Sequence, residues 1–211
     1  MKAHRTALIG AGATGSVLAA ALLTKYPDTI IVGRKPGWVN AIGEKGLMIS
    51  GAVTFSVPVK NYASQIGELR DTRPDFIFLS TKTFHLADIL QELEQIYIPG
   101  TKIIATQNGL GVEDLIADKF GLDAVFRMSL NFGAAVKGPG QVNTAFFNPP
   151  NHLGGFTQEN RELGLQIAKM FCGCGLATEY VDDIRLSVWK KMIMKCTMAS
   201  ICAVTDKTIK D

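Results

Sequence analysis

The chain has 211 residues, 47% of them hydrophobic and 19% charged, proportions of a globular protein able to bury a sizeable core in one large domain, or in one domain with part of another. A net charge of +3 is too small to argue for nucleic acid, so any basic site is local. The longest apolar run, residues 17–23, is far too short to cross a bilayer.

Lys2, His4 and Arg5 imitate the start of a signal peptide, but glycines interrupt the apolar stretch that follows, and cleavage there would destroy the motif they form. We therefore expect a cytoplasmic protein. The triplet Ala7-Leu8-Ile9 reads as a strand, Gly10-Ala11-Gly12-Ala13-Thr14-Gly15 as a turn, and Ser16 onward as a helix of small and apolar residues. A bound pyrophosphate needs that order: Gly10 permits the tight turn, Gly12 lets backbone approach the phosphates, and Gly15 lets helix and strand pack closely. The anion then meets free N–H groups at the positive end of the helix. A second apolar run, Thr29-Ile30-Ile31-Val32, follows at the distance expected of the next strand. Its end reads Gly33-Arg34-Lys35, with no acid for the ribose hydroxyls of NAD. Arg34 and Lys35 suit the 2′-phosphate of NADP, the alternative being a solvated basic turn.

Leu47-Met48-Ile49 and Phe55-Ser56-Val57-Pro58-Val59, around Ser50-Gly51, predict a hairpin insertion. Phe76-Ile77-Phe78-Leu79 and Lys102-Ile103-Ile104-Ala105 are continuous apolar runs, as buried parallel strands require, with a crossover helix over 85–96. A further crossover over 112–120 leads to a strand at 124–128. Residues 131–150 are rich in Gly, Asn and Pro, with Gly138-Pro139-Gly140 turning between extended segments. A helix over 158–171 and a short strand over 177–181 complete the unit. The four cysteines, Cys172, Cys174, Cys196 and Cys202, show no zinc-ligand spacing. Cys172-Gly173-Cys174-Gly175 reads as a helix end with buried reduced thiols, and no metal site is expected. Residues 184–204 lack Gly and Pro and predict one long helix.

These elements describe an α/β, Rossmann-like, doubly wound and mainly parallel sheet over residues 1–181, followed over 182–211 by the start of an all-helical second domain. Too few residues follow the long helix to close a core of their own. That unit is expected to be incomplete, or packed against another chain in a homodimer through the C-terminal helical region.

Ligands of an open parallel sheet bind outside the carboxyl ends of its strands. Ser80-Thr81-Lys82, Gln107-Asn108-Gly109-Leu110-Gly111 and Asn131-Phe132-Gly133-Ala134 are the polar clusters at those ends. Lys82 is either a mobile cation for the cofactor or substrate anion, or a helix-start lysine in solvent. Asn108 either offers amide hydrogen bonds to a nicotinamide ribose or carbonyl, or is a turn residue. His85 is expected to cap or pack on the following helix without a catalytic role. On the long helix, Lys191 and Lys195 stand one turn apart, where mutual repulsion favours loss of a proton from one of them. A lysine so placed serves as a general acid toward a developing alkoxide, unless the pair only faces solvent.

Taken together these residues resemble the ketopantoate reductase (2-dehydropantoate 2-reductase) family. The shared motifs, in family order, are GAGATG at 10–15, Arg34, STK at 80–82, QNGLG at 107–111, GA at 133–134, GPGQV at 138–142 and DDIRLSVWKK at 182–191. The resemblance implies an NADPH-dependent reduction of a 2-oxo acid to a 2-hydroxy acid, ketopantoate to pantoate in pantothenate biosynthesis. It implies that Gly10, Ala11, Gly12, Ala13, Thr14 and Gly15 bind the pyrophosphate and Arg34 the 2′-phosphate, that Lys82, Asn108 and Ala134 bind the rest of the cofactor, and that Lys191 is the general acid, with Asn108 assisting orientation. Two departures stand out. Lys195 and Ala199 occupy positions where the family places asparagines, so Lys195 is expected to grip a substrate carboxylate or to change the substrate. The chain is also expected to lack most of the family's C-terminal helical domain. The alternatives are a non-catalytic NADPH-binding module, and a related dehydrogenase for another keto acid or an opine.

Overall fold

The computed structural model describes residues 4–208. The chain opens with strand β1 (Thr6–Ile9), helix α1 (Ala13–Leu23) and strand β2 (Ile30–Val32). Helix α2 (Pro36–Lys45) follows, and then strands β3 (Leu47–Gly51), β4 (Phe55–Val57) and β5 (Asn61–Ala63). A 3-10 turn, Ile66–Leu69, leads to β6 (Phe76–Leu79), and a second, Thr83–His85, to α3 (Leu86–Glu94). Then come β7 (Lys102–Ala105), α4 (Val112–Phe120), β8 (Val125–Ser129), β9 (Phe132–Gly138), β10 (Gln141–Phe147) and β11 (Asn151–Gly155). Helix α5 (Asn160–Gly173), β12 (Thr178–Tyr180) and the long α6 (Ile184–Thr205) complete the order.

The main sheet runs β12-β11-β8-β7-β6-β1-β2-β5. It is parallel from β5 to β8, and β11 pairs antiparallel with β8. The chain winds outward from β1 in one direction and then returns through β6 in the other, so the strand order reverses between β1 and β6. A crevice must open there at the carboxyl edge. Strand alternation divides the interior in two. Leu8, Phe76 and Phe78 face the core under α1 and α5, whereas Ala7, Ile9, Ile77 and Leu79 face the core under α3 and α4.

Residues 47–59 do form an antiparallel pair, β3 with β4, but not an isolated insertion. β3 also pairs in parallel with β10, and β9 lies antiparallel to β10, making a second sheet in the order β4-β3-β10-β9. Helix α1 is held between the two sheets, which explains its composition: every residue from Gly15 to Leu23 is buried, and an apolar surface all round suits a helix covered on all sides. Three further elements escape local reading. α2 starts with Pro36 in its first turn and buries only Val39 and Ile42, while β5 and β11 are short strands whose partners lie far off in sequence.

The thiols correct another expectation. All four are free, but only Cys174 is buried; Cys172 and Cys196 are exposed and Cys202 is half-buried. The Cys172 thiol donates to the Thr178 carbonyl at 3.1 Å and accepts the Thr178 N–H at 3.3 Å, which ties the end of α5 to β12. At α6, Asp183 caps the helix by accepting from the Leu186 N–H at 3.3 Å. Ile184 and Val188 are buried against β8 and β11, close enough that a Cβ on Gly154 would lie 2.6 Å from Ile184 Cβ. Among the described residues no helix is long and apolar enough to cross a membrane.

Candidate functional site

The carboxyl ends of β1, β2, β6, β7 and β8 face one cleft of about 1690 Å3. At its floor Gly10 holds a φ of +108°, a conformation that disfavours any side chain, and a Cβ there would come 2.8 Å from the Thr81 nitrogen. Gly10 through Thr14 line the cleft. Gly15 does not: a Cβ on it would lie 1.9 Å from the Gly10 carbonyl oxygen, so its part is to let α1 pack against the end of β1. Gly12, the N-cap of α1, has open space where a Cβ would stand, and the N–H groups of the first helical turn have no partner within the helix. This is a cradle for an anionic group, and the orphaned Thr81 hydroxyl lies beside it in the cleft wall.

Arg34, just beyond β2, lines the same cleft and is already engaged. Its Nη2 lies 3.4 Å from Glu92 Oε1 and 3.8 Å from Asp88 Oδ2, and its Nη1 lies 3.1 Å from His85 Nδ1. His85 sits at the N-cap of α3 but makes no side-chain capping bond, so the expected cap is replaced by this contact. Lys82 is exposed on the cleft wall, its carbonyl accepts from the His85 N–H at 3.0 Å, and its ammonium makes no hydrogen bond or ion pair among the described residues. Asn108 lines the cleft next to it, with its carbonyl accepting from the Thr83 hydroxyl at 3.0 Å. Ala134 joins the wall from β9.

The sequence places Gln107 in this wall without assigning it a role and does not single out Arg127. The Gln107 side chain is buried and both amide atoms lack partners, although the residue faces the cleft. Such a group invites a ligand that can both donate and accept. Beneath it, Arg127 of β8 is buried and donates through Nη2 to the carbonyls of Gln107, at 2.5 Å, and Gly109, at 2.8 Å. Its Nε lies 3.8 Å from Glu113 Oε2 on α4. Burial pulls the proton affinity of the guanidinium down, and the Glu113 charge opposes that. The pair fixes the backbone of the turn that carries Asn108. Its sequence signal is a charge inside the apolar run Ala124-Val125-Phe126-Arg127-Met128.

α6 supplies the far wall through Ser187, Lys190, Lys191, Met194 and Lys195. The Lys191 ammonium donates to the Leu130 carbonyl at 2.5 Å. Its pKa falls from 10.5 to about 8, first because burial strips water from the charge, and then because Lys195 and Arg127 repel it. The repulsion expected from Lys195 is therefore present but second to desolvation. Among the described residues no cluster of His, Cys, Asp or Glu could hold a metal ion.

A family model described as ketopantoate reductase PanE/ApbA matches residues 6–157. The chain is 28% identical over 204 residues to a 2-dehydropantoate 2-reductase of Streptococcus pyogenes serotype M3, covering 96% of this chain and 64% of the relative. It is 28% identical over 207 residues to one from Pyrococcus abyssi, covering 97% and 66%. The crystal structure of 2-dehydropantoate 2-reductase from Geobacter metallireducens GS-15 superposes with a TM-score of 0.84 at 25% identity, covering 96% of this chain and 66% of that one. The chain thus spans just under two thirds of the length of the curated relatives it matches.

Proposed function

The chain belongs to the ketopantoate reductase family PanE/ApbA, and on that premise we propose that the protein uses NADPH to reduce a 2-oxo acid to a 2-hydroxy acid, with ketopantoate and pantoate as the leading pair in pantothenate biosynthesis. The observation that carries this reading is one cleft walled on one side by the glycine turn at the β1/β6 crossover and on the other by a desolvated lysine. The backbone of Gly10 to Thr14 would hold the pyrophosphate, Arg34 and Lys35 the 2′-phosphate, and Lys82, Asn108, Gln107 and Ala134 the remainder of the cofactor. Bound there, NADPH supplies the hydride for the carbonyl carbon.

Lys191 does the acid's part. Negative charge develops on the carbonyl oxygen as the carbon is reduced, and a positioned ammonium both stabilises that charge and delivers the proton. With a pKa of about 8 it is protonated at neutral pH yet gives up its proton more readily than an ordinary lysine. The Leu130 carbonyl aims it. Lys195, one helical turn on and in the same cleft, grips the substrate carboxylate, and Asn108 orients the ketone. In this reading α6 opens a helical substrate-binding unit and the enzyme works in the cytoplasm.

The test is NADPH oxidation by the purified protein with ketopantoate and a panel of other 2-oxo acids. Lys191→Ala should lower kcat about 100-fold or more while leaving the Kd for NADPH within a factor of about two. An unchanged rate would remove Lys191 from the chemistry. Lys195 and Ala199 motivate two other readings, a dehydrogenase for another keto acid or an opine, and an NADPH-binding module without catalysis. Turnover with a different member of the panel marks the first, and tight NADPH binding with no turnover marks the second.

A further inference from the structure

The end of β2 carries no acid, but the cleft beside it does. α3 buries Leu86, Ile89, Leu90 and Leu93, which leaves Asp88 and Glu92, four residues apart, together on its polar face. That face looks toward Arg34. Glu92 lines the cleft alongside Arg34, whereas Asp88 stands farther from the guanidinium and its side chain is more exposed, 70% against 47%. A guanidinium can only donate, so in the Arg34–His85 contact Nδ1 is the acceptor. One cation thus faces two carboxylates, with Lys35 at the start of α2 as the neighbouring cation.

This arrangement is not a bare 2′-phosphate receptor. A phosphate dianion reaching Arg34 must displace Glu92 from it and then remain near two carboxylates. A ribose carrying only hydroxyls meets, in Glu92, the kind of acceptor that NAD sites usually place at the end of the second strand. Accepting the reading above that the cleft binds a nicotinamide dinucleotide, we propose that Glu92 is a specificity-determining residue. Its carboxylate accepts from the adenosine ribose hydroxyls and opposes the 2′-phosphate at Arg34, so the cleft takes NADH alongside NADPH. Asp88 acts in the same direction more weakly. Both carboxylates are largely solvated, so the opposition is modest and screened by salt.

Calorimetric titration of NADPH and of NADH into the wild-type protein and into the Glu92→Gln, Asp88→Asn and Arg34→Ala variants tests this without any turnover. The wild type should bind both dinucleotides with Kd values within about tenfold of each other. Glu92→Gln should tighten NADPH about fivefold at low salt, less at high salt, and weaken NADH about threefold. Asp88→Asn should tighten NADPH about twofold, and Arg34→Ala should weaken NADPH far more than NADH. If Glu92→Gln leaves both affinities unchanged or moves them by the same factor, Glu92 does not set specificity, while the dinucleotide reading stands. If the wild type binds neither dinucleotide, that reading falls and this inference falls with it.

Discussion

Lys191 has its ordinary pKa of 10.5 in the unfolded chain and one of about 8 in the folded protein. Below pH 8 the ammonium is charged in both states, so its burial destabilises the fold by the full difference, on the order of 3 kcal/mol. Between pH 8 and 10.5 the unfolded chain binds more protons than the folded one, and stability rises with pH as that cost is relieved. Replacing Lys191 by Met removes this dependence. Denaturant titrations should find the variant's stability advantage over wild type shrinking as pH is raised through that window, and a constant difference would mean that the lysine is not desolvated. In catalysis the sign is reversed, because only the protonated lysine can act as an acid. Lys191, Arg34 and Gly12, which line one cleft, were legible as candidates because each stands at a fixed offset from a recognisable element. Glu92 and Arg127 were not, because what matters about each is a partner on another element: Arg34, 58 positions away from Glu92, and Glu113 on α4.

The strand-turn-helix unit formed by β1 and α1 assigns its glycines separate tasks. A Cβ at Gly15 would fall 1.9 Å from the Gly10 carbonyl oxygen, so α1 would have to move off β1 and break its fit between the two sheets. Gly15→Ala should therefore destabilise the protein by about 3 kcal/mol. A Cβ at Gly12 meets nothing within 4 Å, so Gly12→Ala should cost no more than about 1 kcal/mol, the lower N-cap preference of Ala. The same methyl stands where phosphate oxygens would approach, so dinucleotide affinity should fall about tenfold or more. Thermal melting and dinucleotide titration of the two variants separate the roles, and equal loss of stability in both would overturn the division. Elements whose pattern is local, such as β1, β6, β7 and α4, are readable in the sequence because a continuous apolar run or a 3.6-residue period declares them. The pairing of β3 with β10 is not, since residues 48–51 meet residues 141–144 and nothing in either segment names the other.

Across the whole molecule the packing is uneven. The sheet is covered on both faces, but α6 is anchored only by its first turns, and Ile193, Ile201 and Val204 are 61%, 62% and 87% exposed among the described residues. Amides of residues 189–205 should exchange with solvent about 100-fold faster than those of β1, β6 and β7, as hydrogen exchange with mass spectrometry can measure. Protection equal to that of the sheet would show α6 to be covered by a partner, such as a second copy of the chain. The amino-acid sequence by itself determined the order of most elements, the doubly wound α/β class and the glycine turn, because these follow from short-range periodicity and backbone sterics. Only the tertiary structure decided that α1 lies between two sheets, that burial more than Lys195 lowers the proton affinity of Lys191, and that Arg34 shares its charge with Glu92. These depend on which distant residues exclude water from one another, and chain closure across long separations sets that.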